Sequence, residues 1–305
     1  MNAYCPLKRF AGNPIITPDS MPFECYSVFN AGAVRFGGKI LLLLRTEDYE
    51  RKALFYVAES TDGYNFKVNP EPINYPLREV EKEWGSHRFD MRITALDGTF
   101  YICHALWLGK LGCVSAMAKT DDFINFEAVG SISLPSNRNS VLFPEKINGL
   151  YARLDRPQNI DGSGQIWITY SPDLVYWGDP SPLKMPDPSW TWRKSGAGAV
   201  PIRTKAGWLE IYHATCMTAS TENYHLGAML LDLDDPSKVI AAPRRFILAA
   251  EKDYECVGQV PNVVFTSGAV LTDDEELIIY YGGADTRMCA ASVRLEDMIK
   301  CCMED

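Results

Sequence analysis

The chain has 305 residues, 47% of them hydrophobic, enough for an extended buried core, so a disordered polypeptide is excluded. Its 30 Lys and Arg against 39 Asp and Glu leave a net charge of −9, which argues against nucleic acid and anionic membrane as partners unless basic groups are gathered locally. No apolar run approaches the ~18–20 residues that cross a bilayer, that from Ile40 to Leu44 being bounded by Lys39 and Arg45, and residues 1–10 carry no signal-like apolar region, so a cytoplasmic location is expected.

In chain order, residues 39–44, 99–103, 165–170, 207–213 and 277–281 are short β-branched or aromatic segments bounded by Gly, Pro, Asn or Asp, and they are predicted strands. A short helix is predicted near 295–302. Turn-like motifs close the strands at a regular interval: Ser60-Thr-Asp62, Thr120-Asp-Asp122, Ser171-Pro-Asp173, Asp232-Leu-Asp234 and Arg294-Leu-Glu296 recur about every 50 to 60 residues. A repeat of this length, made of strands, predicts an all-β chain folded as one five-bladed β-propeller over 1–305, because a ring of sheets buries faces that one sheet leaves exposed. No Pro-, Gly- or Ser-rich linker divides it.

The nine cysteines are odd in number and scattered without a C-x-x-C pair, and the four histidines lack H-E-x-x-H spacing, so neither a disulfide framework nor a metal is expected. The segment 196–201 imitates a dinucleotide loop, but Pro201 replaces the third glycine and a strand follows. Chemistry must therefore come from side chains. Strand alternation places Arg156 with Ala152 and Leu154, and His213 with Leu209 and Ile211, on otherwise apolar faces. A buried Arg requires an internal carboxylate or a bound anion. Alternation also groups Asp90, Arg92 and Thr94, with Asp90 as a candidate general acid held by its own strand neighbour.

The whole chain from Asn13 to about Ile299 resembles glycoside hydrolase family 130, the inverting β-mannoside phosphorylases with a five-bladed propeller fold. The resemblance rests on Phe29-Asn-Ala-Gly-Ala33, residues 41–48, Asp90-Met-Arg-Ile-Thr94, residues 137–146, Leu154-Asp-Arg-Pro157 and Ser171-Pro-Asp-Leu174 with Trp177-Gly178. It continues through Lys194-Ser-Gly-Ala-Gly198, residues 207–213, residues 260–265 and Tyr280-Tyr-Gly-Gly-Ala-Asp285. By position, the resemblance makes Asp90 the proton donor, acting through a hydroxyl of the mannosyl ring. It makes Arg138, Arg156, Lys194 and His213 the basic cluster around phosphate, and Asn30, Arg45, Arg92, Tyr224 and Asp285 substrate-binding residues. Trp107, Trp190, Trp192 and Tyr224 are candidate sugar-stacking aromatics. The chain departs from the family where Phe89 and Met91 flank Asp90, positions that usually read Tyr or Glu, and Pro.

Ordinary inverting hydrolysis needs two carboxyl groups, one acid and one base. Phosphorolysis needs the acid alone, since phosphate is already an anionic nucleophile that cations position. The expected inventory is one Asp and four cations, with inorganic phosphate as co-substrate and no cofactor. A β-mannosidase is the first alternative, disfavoured because Lys194 and His213 remain basic; a non-catalytic carbohydrate-binding propeller is the second. The linkage stays open: Asn137-Arg-Asn139 resembles the β-1,4 subgroup, slightly favoured, while Tyr224-His-Leu-Gly227 and Val264-Phe-Thr266 resemble the β-1,2 subgroup. Expected partners are a mannoside and phosphate, with assembly into a homo-oligomer in keeping with the resemblance.

Overall fold

The computed structural model describes residues 7–84, 87–130, 132–185, 190–219 and 221–304. Five antiparallel sheets follow one another along the chain, four of them four-stranded and the fourth six-stranded. Their innermost strands are Ser27–Phe36, His87–Leu96, Asn137–Leu142, Lys194–Ala197 and Val264–Leu271. Each sheet packs against the next, and the first packs against the fifth, so the ring closes as a five-bladed propeller.

The segment Lys39–Glu47 shows why the sequence adopts this shape. Leu41, Leu42, Leu43 and Leu44 are all buried, so the strand lacks polar alternation. Leu42 and Leu44 pack with Val270, Ile278 and Tyr280 of the fifth blade, whereas Leu41 and Leu43 pack with Met91, Ile93 and Ile102 of the second. Both faces are covered by neighbours, so both must be apolar.

Closure is made by the N-terminal strand Lys8–Arg9, which pairs with Arg287–Arg294 and becomes the outer strand of the last blade. The buried Glu255 locks it. Arg9 Nε lies 2.7 Å from Glu255 Oε1, the Tyr281 hydroxyl donates to the same oxygen at 2.8 Å, and the amides of Glu251 and Lys252 donate to Oε2.

The recurring turn motifs are structural devices. Asp62 accepts from the amides of Tyr64 and Asn65, Asp122 from those of Ile124 and Asn125, and Asp173 from those of Val175 and Tyr176. These hydrogen bonds, led by the Asn125 amide, hold the Asp122 carboxyl down to about 2. Asp232 repeats the pattern with Asp234 and Asp235, but the fifth copy opens the helix Leu295–Met303. The predicted strand at 165–170 starts later, as Trp167–Ser171. There the Gly164 carbonyl accepts from the Ser195 amide and Gln165 Oε1 from the Ser195 hydroxyl, which ties this stretch to the next blade.

Candidate active site

Three innermost strands carry the same irregularity. Pairing jumps from Phe29↔Arg45 to Gly32↔Leu43, from Phe89↔Ala105 to Arg92↔Cys103, and from Arg138↔Arg156 to Val141↔Leu154. Each jump is a β-bulge, and it holds Asn30 (φ 50°), Asp90 (φ 55°) or Asn139 (φ 57°) in the left-handed region. Asn and Asp tolerate that backbone, and a bulge re-aims the side chain it carries. The bulge also interrupts the expected alternation of Asp90, Arg92 and Thr94.

Asn30 and Asp90 face a cavity of about 400 Å³ that is also lined by Arg45, His87, Phe89, Trp107, Tyr224, Val260, Val263, Phe265 and Asp285. Asp90 Oδ1 accepts from Asn30 Nδ2 at 3.0 Å and lies 3.6 Å from Arg45 Nη1. The Arg45 guanidinium sits over the rings of Phe29 and Phe89, 4.4 and 5.5 Å from their centroids, and its Nη2 meets Glu47 Oε1 at 2.5 Å. Asp285 (φ 48°) follows Gly282-Gly283, and burial, reinforced by the charge of Asp90, pushes its carboxyl up to about 7. Gly282 is needed here, because a Cβ would stand 2.5 Å from Asn30 Oδ1.

Tyr224 and Phe265, which line this cavity, also touch the ring of His213 in the basic group. Arg138 and Arg156 are direct cross-strand partners, and among the described residues no carboxylate lies within ion-pair distance of either. Their Nε atoms are buried without a hydrogen-bond partner. Arg156 Nη1 contacts His213 Nε2 at 3.3 Å, and the His213 ring lies 4.4 Å from that of Phe265 and 6.2 Å from that of Tyr224. Burial, followed by Arg138 and Arg92, depresses the Arg156 guanidinium to about 10, although Tyr224 and Asp90 act in the opposite direction. Gly196 makes room for the imidazole: a Cβ there would meet His213 Cε1 and Nε2 at 2.6 Å. Lys194 completes the group from the neighbouring strand, with Nζ 2.6 Å from Glu222 Oε2.

Several expectations are corrected. Arg92 is fully buried and does not line the cavity; its Nε, Nη1 and Nη2 donate to the carbonyls of Gly198, Asp90 and Ala197 at 2.9, 2.7 and 3.0 Å. It braces the second blade against the fourth, and it touches the backbone of Asp90 instead of its carboxylate. Burial, and then Arg156, Arg92 and Lys194, hold the His213 imidazole well below its ordinary pKa, which disfavours the cation expected there. Trp190 is packed against Tyr212 with its Nε1 on the Arg244 carbonyl, which removes it from sugar stacking. Trp192 is exposed and outside the cavity lining, whereas Trp107 lines it. The acidic inventory is larger than one Asp, because Glu47 holds Arg45 and Glu222 holds Lys194. Glu47 was signalled by its i, i+2 spacing from Arg45; Glu222 had no local signal, and its role arises from strand pairing.

A family model described as beta-1,4-mannooligosaccharide phosphorylase of glycoside hydrolase family 130 matches residues 7–304. The chain belongs to that family. It is 34% identical over 304 residues to a beta-1,4-mannooligosaccharide phosphorylase of Ruminococcus albus, covering 95% of this chain and 89% of the relative. A 1,2-beta-oligomannan phosphorylase of Thermoanaerobacter sp. is 36% identical, covering 96% of this chain and 98% of the relative. The solved structure of beta-1,2-mannobiose phosphorylase from Listeria innocua in complex with beta-1,2-mannobiose superposes with a TM-score of 0.86 at 29% identity, over 99% of each chain. The Phe89 and Met91 departures from the family pattern find their places in the fold. Phe89 faces the cavity beside Arg45, and Met91 is fully buried between the first two blades.

Proposed function

We propose that this family 130 chain is an inverting β-mannoside phosphorylase, with the whole ring, 1–305, as one catalytic domain. The observation that carries the reading is the facing pair Arg138 and Arg156, two residues in cross-strand register with no carboxylate paired to either among the described residues. Like charges placed so are destabilising unless an anion joins them. Phosphate supplies that anion, and the guanidinium forks bind and orient it. One of its oxygens attacks the anomeric carbon from the face opposite the leaving group, and the glycosidic C–O bond breaks. The proton of Asp90 reaches the leaving oxygen by way of a mannosyl hydroxyl, giving α-mannose 1-phosphate and an acceptor shortened by one sugar. The resulting carboxylate stays beside Asn30 Nδ2 and Arg45, which suit its charge. Asn30, Arg45, Tyr224 and Asp285 line the sugar-binding cavity. A product held as a sugar phosphate fits work inside the cell.

The test is turnover of β-mannobiose with and without phosphate. Mannose 1-phosphate forms only with phosphate present; undiminished release of free mannose without it would overturn the reading in favour of a mannosidase. The linkage, for which β-1,4 is the reading taken, is read by running the reaction backwards from α-mannose 1-phosphate with a panel of acceptors and assigning the new bond by NMR. A β-1,2 product would reverse it.

A further inference from the structure

Glu222 stands among the basic residues without a place in the reaction above. Lys194 and Tyr224 flank Thr215 as its direct cross-strand partners, and His213 and Glu222, each two residues before one of these, share the same sheet face. The fourth blade thus presents His213, Lys194, Thr215, Tyr224 and Glu222 together. Glu222 Oε2 accepts from Lys194 Nζ at 2.6 Å and Oε1 from Thr215 Oγ1 at 2.6 Å. Each carboxylate oxygen has a second lone pair, and the side chain is 22% exposed, so acceptor capacity remains on its open side.

We propose that Glu222 determines which tetrahedral anion the basic cluster takes, accepting the hydrogen of a protonated phosphate and rejecting anions that carry none. The inference rests on the phosphate-binding role of Arg138, Arg156 and Lys194. A site built to bind any anion gains nothing from a carboxylate, which repels negative charge. Where the anion brings its own O–H, the same carboxylate becomes a charge-assisted acceptor. At neutral pH inorganic phosphate and arsenate each retain at least one hydrogen, whereas sulfate retains none. Glu222 is held as an acceptor: burial pushes its pKa up, but the hydrogen bonds from Lys194 and Thr215 and the charge of Lys194 carry the net shift downward.

The experiment measures the phosphate KM, arsenate as an alternative nucleophile and sulfate as a competing inhibitor, in the wild type and in Glu222→Gln. In the wild type, sulfate inhibition requires a concentration at least about tenfold above the phosphate KM, the loss expected when a charged acceptor is left facing an anion without a hydrogen. In Glu222→Gln the ratio of the sulfate inhibition constant to the phosphate KM falls by about tenfold, while the arsenate-to-phosphate ratio holds. A general structural role would shift all three anions together. An unchanged sulfate ratio in the variant, or wild-type sulfate inhibition at the phosphate KM, overturns the proposal. Arg156→Ala separates the two layers: if it raises the phosphate KM while the Glu222→Gln ratios stay fixed, only the selectivity role fails. If Arg156→Ala leaves the phosphate KM unaltered, the phosphate site itself is wrong.

Discussion

The two ends of the site solve opposite electrostatic problems. At the end built by the first, second and fifth blades, the cation is already matched: Arg45 meets Glu47 and Asp90, and Arg51 also reaches Glu47 at 3.0 Å. At the end built by the third and fourth blades, Arg138 faces Arg156 with no carboxylate beside either among the described residues, and only Lys194 has an acidic partner. The first end is electrostatically matched within the protein, and in the proposed reaction it is the wall that meets the sugar. The second is complete only with an anion bound. On the proposed reading, this difference places the donor and the nucleophile at separate ends of the site, which suits direct displacement from the face opposite the leaving group.

The largest expected effect tests the donor. Asp90→Asn keeps the Asn30 contact within reach but removes the proton, so turnover should fall by about 10³-fold or more while mannoside binding persists by calorimetry. Turnover within a few-fold of wild type would move the acid elsewhere, with Asp285 the next carboxyl to examine. The second test breaks the comparison directly. Arg45→Met removes the guanidinium shared by Glu47 and Asp90, leaving them Arg51 and Asn30 as partners, and should cost about 2 kcal/mol of stability. Arg156→Met removes one of two facing like charges, so the phosphate-free protein should melt no lower than wild type, yet lose the rise in melting temperature that phosphate gives the wild type. Equal destabilisation by both variants would erase the distinction between the two ends.

How much of this was legible in the sequence depends on the range of the interaction. The turn at Ser60 to Asn65 is local, its hydrogen bonds spanning two or three residues, so the repeat and the blade count could be read directly. The leucine run 41–44 could be read as a strand, but that both its faces are covered emerges only from the packing of the neighbouring blades. Strict alternation failed at Asp90 because a bulge adds a residue and changes the parity; a sequence pattern shows no such insertion until pairing is known. Arg92 was assigned to the substrate by resemblance, and its bracing role was not legible because its partners Ala197 and Gly198 lie more than a hundred residues away. Glu222 and Lys194 meet only because their strands flank Trp208–Met217.

A smaller effect follows from titration. The folded Asp285 carboxyl sits near 7, above its unfolded value, so between about 4 and 7 the folded chain holds more protons than the unfolded one. Stability from this group is therefore full below that window and is lost as pH rises through it. Asp285→Asn should flatten the fall in melting temperature over that range. At the other end the sign reverses: neutral buried His213 makes the folded chain hold fewer protons than the unfolded one, so stability is lost as pH falls below about 6.5. Saturating phosphate should weaken this acid-side loss, because an anion beside the imidazole favours its protonated form. Opposite slopes at the two ends, each cancelled by its own substitution or ligand, would sharpen the division; a common slope would remove it.

The smallest expected change probes the wall of the sugar cavity. Phe89 presents its ring to the Arg45 guanidinium at 5.5 Å and gives that wall no hydrogen-bonding group. Phe89→Tyr adds a hydroxyl without altering the ring, so kcat and the phosphate KM should hold while the mannoside KM shifts by a few-fold, the scale of one neutral hydrogen bond. The effect should also depend on which acceptor sugar is used. Steady-state kinetics with two mannosides that differ only in the acceptor decides it. A change in the phosphate KM instead would mean that the two ends communicate through Arg45, and the separation of donor and nucleophile would have to be redrawn as one coupled network.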